Sequence, residues 1–164
     1  MSNLITASDL RAAYQISTNV SDADLNRFIA TAQKGDFAYI LGDALYYALT
    51  QWYDTEGSAY KELFEGVAYI NNNNHSVYYD GVKDLLVWMA VKVFLVEEQK
   101  RSTRSGIVKQ RKDNSEFLSS EDLNNAVYYV RGNIIHNVNR LKEYLSIEYA
   151  SFPEFDEIKS ITVL

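Results

Sequence analysis

Asp80-Gly81-Val82-Lys83-Asp84-Leu85-Leu86-Val87-Trp88-Met89-Ala90-Val91-Lys92-Val93-Phe94-Leu95 is the stretch on which the fold turns. Val82, Leu85, Leu86, Met89, Val93 and Leu95 mark one helical surface, while Val87, Val91 and Phe94 make the other sides apolar as well. A helix apolar all round is buried all round. The spacing therefore predicts a long central helix from Asp80, covered either by its own core or by its core and a neighbouring subunit.

Downstream, Lys100 to Leu118 is too long and too polar for a bundle connection, which typically runs about 2 to 8 residues. Lys100, Arg101, Arg104, Lys109, Arg111 and Lys112 place six of the sixteen basic residues in one acid-free run. Ten basic residues are left against 22 acidic ones elsewhere. Ser105-Gly106 can turn and Ile107-Val108 favours extended backbone, so a basic loop or β-hairpin arm is expected over 100–118. Ser119 or Ser120 then starts a second long helix, with Leu123, Ala126, Val127, Val130, Ile134, Val138, Leu141 and Leu145 as its stripe and Gly132 as an internal anomaly. Past Ala150 the pattern stops. The tail 151–164 holds Phe152, Phe155, Ile158, Ile161, Val163 and Leu164, side chains that favour a partner over water.

Upstream, Thr6 with Asp9 signals a short helix that buries Leu10 and Tyr14, and Ser21 with Asp24 signals a second carrying Leu25, Phe28, Ile29 and Ala32. Gly35 is expected to interrupt it. A stripe from Phe37 to Trp52 follows, with Gly42 inside it read as a close helix contact. Asp54 to Ser58 reads as a turn, and Ala59 to Ile70 as a helix ended by Asn71 to Asn74. The fold class expected is mainly α: a bundle of about five helices in one domain over 1–164, with an inserted arm and an extended C-terminal tail.

Composition narrows function. With no cysteine among its 164 residues, the chain has no disulfide, thiolate nucleophile or cysteine metal site. A net charge of −6 opposes binding of nucleic acid or anionic membrane by the body as a whole. No apolar run reaches the roughly 20 residues that span a bilayer, and Met1 to Lys34 has no leader pattern, so a soluble, unsecreted chain is expected. The glycines are isolated, which argues against a phosphate loop. His75 and His136 lack metal-ligand spacing, and are read as a loop residue and a helix-face residue. The pairs Asp22/Asp24, Asp80/Asp84 and Glu97/Glu98 are read as helix-start or solvated carboxylates. No catalytic residue, metal site or cofactor is therefore expected, and the chain is read as a non-enzyme.

Thirteen tyrosines are the unusual feature. In the pairs Tyr46-Tyr47, Tyr78-Tyr79 and Tyr128-Tyr129 one ring can join the core while its neighbour, about 100° away on a helix, lies towards a rim. A subunit interface and plain packing both fit.

The order of Ile16-Ser17, Ser21-Asp22-Ala23-Asp24-Leu25, Phe28-Ile29-Ala30-Thr31-Ala32-Gln33, Ile40-Leu41-Gly42-Asp43-Ala44-Leu45-Tyr46, Asp80-Gly81-Val82-Lys83 and the Ser105-Gly106 loop resembles the helical head-to-tail adaptor (connector, head-completion) proteins of tailed phages, crAss-like type, from about Leu4 to Phe152. The resemblance implies a virion protein made in the bacterial host cytoplasm. Its partners would be itself, in a ring that is commonly a dodecamer, the portal protein, adjacent ring or tail proteins, and DNA passing through the channel without sequence-specific binding. It also implies two docking elements. One is the arm with Lys100, Arg101, Arg104, Ile107, Val108, Lys109, Arg111 and Lys112; the other is the tail with Phe152, Phe155, Ile158, Ile161, Val163 and Leu164. The alternative is a small acidic helical DNA-binding or regulatory protein that uses the basic 100–112 arm.

Overall fold

A computed structural model of the chain describes residues 3–105, 108–110, 115–117 and 120–155. The protein is mainly α-helical. Helix α1 (Ala7–Ala13) opens on a capping box: the Asp9 amide donates to Thr6 Oγ1, and the Thr6 amide donates to the Asp9 carboxylate at 2.8 Å. Helix α2 (Asp22–Ala32) opens on Ser21, whose Oγ accepts from the Asp24 amide at 3.1 Å. Both starts follow from the sequence signals. Leu10, Leu25, Phe28, Ile29 and Ala32 are buried, as the spacing predicts, while Tyr14 is half-buried.

The interruption expected at Gly35 is a π-helical turn, Gln33–Phe37, in which Gly35 leaves helical geometry at φ −95°, ψ −110°. The single helix expected over 37–52 is instead two, α3 (Ala38–Leu41) and α4 (Asp43–Trp52). Gly42, at φ 75° and ψ 158°, ends the first, and a side chain there would meet nothing within 4 Å. It is a bend in the chain and not the close helix contact expected from its position.

Helix α5 (Ala59–Glu65) is also shorter than predicted. Val67–Ile70 forms strand β1, paired antiparallel with β2 (Ser76–Tyr79) in the register Val67 to Tyr79 and Ile70 to Ser76. Four apolar positions at helical spacing do not distinguish the last turn of a helix from a strand. Two glycines decide it. Gly66 (φ 96°) and Gly81 (φ 83°) sit where the base of the hairpin crosses backbone against backbone: a Cβ on Gly66 would lie 2.4 Å from the Tyr79 carbonyl oxygen, and one on Gly81 2.3 Å from that of Phe64. Asn71 to Asn74, expected to end a helix, makes the hairpin turn. The Asn71 side chain accepts from the Asn73 and His75 amides at 3.0 Å each.

Helix α6 (Gly81–Ser105) is the centre of the molecule and packs against α1, α2, α5 and α7 (Ser120–Ile147). Val82, Leu85, Leu86, Val87, Met89, Ala90, Val91, Phe94 and Leu95 are all buried, so the chain itself covers the sides of this helix over 82–95. The arm starts later than expected, because 100–105 continues α6. Short strands β3 (Val108–Gln110) and β4 (Ser115–Phe117) then pair antiparallel. On α7, Leu123, Val130, Ile134, Val138, Leu141 and Leu145 are buried, and Ala126 and Val127 are partly so. Apart from Leu123, one contiguous core takes in these residues and runs from Leu4 to Phe152.

Candidate interaction surfaces

A line of aromatic rings closes one end of the bundle. Tyr79 of β2 stacks on Tyr144 of α7 with centroids 4.5 Å apart, and Tyr69 of β1 meets Tyr144 edge-on at 5.5 Å. Phe152 completes the line, 6.1 Å from Tyr144 and 5.5 Å from Tyr60 of α5. The Tyr60 hydroxyl donates to the Glu154 carboxylate. Burial and that carboxylate push the Tyr60 phenol up to about 12, so the bond persists at any physiological pH. Desolvation likewise raises Tyr79 and Tyr144.

The expectation that Phe152 lies in a docking tail is corrected by this cluster. Phe152 is fully buried and Phe155 packs partly against the same core, so both hold the chain to its own bundle. Ile158, Ile161, Val163 and Leu164 lie outside the described residues. Of the arm, Lys100, Arg101 and Arg104 fall on the last turns of α6, and Val108 and Lys109 on β3. Ile107, Arg111 and Lys112 lie outside the described residues.

A polar seam joins α6 to α7. Asp84 accepts from Trp88 Nε1 at 3.1 Å and from Asn137 Nδ2 at 3.0 Å, and Asn137 also donates to the Asn133 carbonyl. Asp84 stands in the first turn of α6, as the sequence reading has it, and is also half-buried between two helices. Burial raises its carboxyl above the usual range, with the two donors pulling the other way and the Asp80 charge adding to the rise. Asn137 is only 4% exposed. Its polar type made it invisible to a search for apolar spacing. A second buried amide, Gln33, accepts from the Leu4 amide at 2.8 Å and donates to the Tyr46 hydroxyl at 3.2 Å, tying the N-terminal segment to α4.

Among the described residues, large apolar side chains stay exposed in three places. Tyr39, Tyr47 and Trp52 belong to α3 and α4; Ile70 and Tyr78 face outward on the β1–β2 hairpin, with Tyr69 and Tyr79 on its buried side. Tyr128 (80% exposed), Tyr129 and Ile135 stand on α7. The pairs Tyr46-Tyr47 and Tyr78-Tyr79 divide between inside and outside, as expected. Tyr128-Tyr129 does not, since both rings are outward and Tyr129 leans edge-on against Trp88 at 5.8 Å. Asn124, Asn125 and Asn139, uncharged where a solvated helix usually carries charge, were the legible sign of this face. His136 is exposed on the same helix and His75 in the hairpin turn, where the sequence put them.

No group of three or more His, Asp or Glu side chains among the described residues could hold a metal ion. No helix among them is long and apolar enough to cross a membrane. Neither the curated proteins nor the solved structures contain a match to this chain. A family model described as a family of unknown function, DUF6712, matches residues 37–163, and the chain belongs to that family.

Proposed function

We propose that this chain is a structural, non-enzymatic virion subunit that assembles as a ring in the head-to-tail connector of a tailed phage, below the portal, and joins the portal to tail components. The observation that carries the reading is the pairing of exposed aromatic surface with a basic arm on an otherwise acidic chain. Tyr39, Tyr47, Trp52, Tyr78, Tyr128 and Tyr129 are each more than half exposed, and aromatic rings of this kind are enriched where proteins meet. The run 100–112, from the last turns of α6 into the segment that joins it to α7, carries six basic residues, a feature suited to an acidic neighbour. The resemblance to head-to-tail adaptors in residue order points the same way.

Native mass spectrometry of the chain, alone and with the portal of the same phage, tests the proposal. The expected outcome is a defined ring, or a smaller species that becomes a ring on the portal. A species that ignores the portal would remove the connector reading. The basic arm also favours one other reading, binding of DNA phosphates. That reading predicts a gel shift at low salt which is lost steeply as salt rises and is abolished in an Arg101→Ala, Arg104→Ala, Lys109→Ala triple variant.

A further inference from the structure

The seam between α6 and α7 is one donor short. Asp84 accepts from Trp88 Nε1 at 3.1 Å and from Asn137 Nδ2 at 3.0 Å, and both bonds fall on the same carboxylate oxygen, Oδ2. Among the described residues nothing donates to its other oxygen, Oδ1. Asn137 has the matching deficit. Its amide nitrogen serves Asp84 Oδ2 and the Asn133 carbonyl, while its Oδ1 is buried and accepts from no group among the described residues. A buried amide oxygen without a donor is costly, and Asn137 is only 4% exposed.

A carboxylic acid and a primary amide form a two-bonded pair, in which the amide N–H donates to one acid oxygen and the acid O–H donates to the amide oxygen. The bond from Asn137 Nδ2 to Asp84 Oδ2 is one half of that pair. The other half needs a proton on Asp84 Oδ1 and an acceptor at Asn137 Oδ1, and these are the two oxygens left over. While Asp84 is ionised, they are acceptors on bonded neighbours with no proton between them. One proton satisfies both, and it leaves the bonds from Trp88 and to the Asn133 carbonyl in place.

We infer that Asp84 and Asn137 form a proton-operated clasp between α6 and α7: protonated Asp84 donates to Asn137 Oδ1, and loss of that proton to solvent opens the bond. Burial raises the Asp84 carboxyl, which brings the opening closer to neutrality. Two charges act on the group: Asp80, just before α6, adds to the rise, and His136 of α7 opposes it. Charges on the elements around α6 are held in pairs of their own, Asp9 of α1 with Lys83 at 3.0 Å, Arg27 of α2 with Asp24 at 3.4 Å, Lys61 of α5 with Glu56, and Arg140 of α7 with Glu143 at 3.3 Å. The joint therefore holds two bonds between Asp84 and Asn137 in acid. Once Asp84 has ionised it holds one, and the Asn137 oxygen is stranded. The clasp belongs to the fold of the single chain, so it stands or falls apart from the connector proposal.

Carbon-13 NMR of the full chain tests the clasp without any substitution. As pH falls, the Asp84 carboxyl and the Asn137 side-chain carbonyl should titrate with one midpoint, the Asn137 carbonyl moving downfield as a carbonyl does on gaining a hydrogen bond. The Trp88 indole proton should stay protected from exchange below that midpoint. A double-mutant cycle of Asp84→Ala and Asn137→Ala in urea unfolding supplies the sign: coupling between the two should be larger below the midpoint than above it. An amide that only donates to the carboxylate gives the reverse, because a hydrogen bond to a charged acceptor is the stronger. Either of two results would overturn the inference: an Asn137 carbonyl that stays still or moves upfield, as a buried water already bonded to Oδ1 would produce, or a coupling that weakens in acid.

Discussion

Asp9 and Asp84 show how the same side chain is stabilised in one setting and strained in another. Burial alone would raise the Asp9 carboxyl, but hydrogen bonds from the Thr6 backbone and hydroxyl and the Lys83 ammonium at 3.0 Å outweigh it and hold it below the usual carboxylate range. A depressed folded value means that its stabilisation is present above about pH 4 and is lost as pH falls through the folded value. Asp9→Asn should therefore cost about 0.5–2 kcal/mol in urea unfolding at pH 7, and less as the pH is lowered. Asp84 has the opposite sign. Its raised value means that the folded chain holds the proton longer, so its contribution is most favourable in acid and declines as pH rises through the carboxylate range. The stability of the native chain relative to Asp84→Asn should accordingly fall as pH rises above about 4. A relative gain for the native chain over that interval would mean that the bonds from Trp88 and Asn137 outweigh burial.

Among the elements, the β1–β2 hairpin depends on two glycines more than on its own side chains. Gly81→Ala puts a methyl group into the Phe64 carbonyl at a backbone angle that L residues rarely adopt, and should destabilise by about 2–4 kcal/mol, read as a fall in the urea midpoint. Gly42→Ala, where space is open, pays only for the backbone angle and should cost less. The C-terminal anchor rests on Phe152. Phe152→Ala removes a ring packed between Tyr60 and Tyr144 and should cost about 3–5 kcal/mol, with faster hydrogen exchange over 149–155 as the local sign. Tyr60→Phe should reproduce the exchange change on a smaller scale, because it removes only the bond to Glu154.

The charge layout belongs to the whole molecule: an acidic body with six basic residues gathered in 100–112. Association through this basic run is electrostatic and should weaken as ionic strength rises. Measuring oligomer mass at low and at high salt, with and without residues 106–118, tests this. Loss of the larger species at high salt and in the deletion is the expected pattern.

The sequence by itself determined the helical class, the central place of α6, the caps at Thr6 and Ser21 and the stripe of α7. Each of these is a local matter of spacing or of a cap within one turn. Only the tertiary structure decided that 67–70 is a strand, that Phe152 belongs to the core, that Asp84 and Asn137 share a buried seam, and that Tyr128 and Tyr129 both face outward. The physical reason is common to all four. Short apolar runs suit helix or strand until a distant backbone, here Tyr79 against Gly66, takes one side, and a polar or aromatic side chain is buried or exposed according to which helix lies across from it.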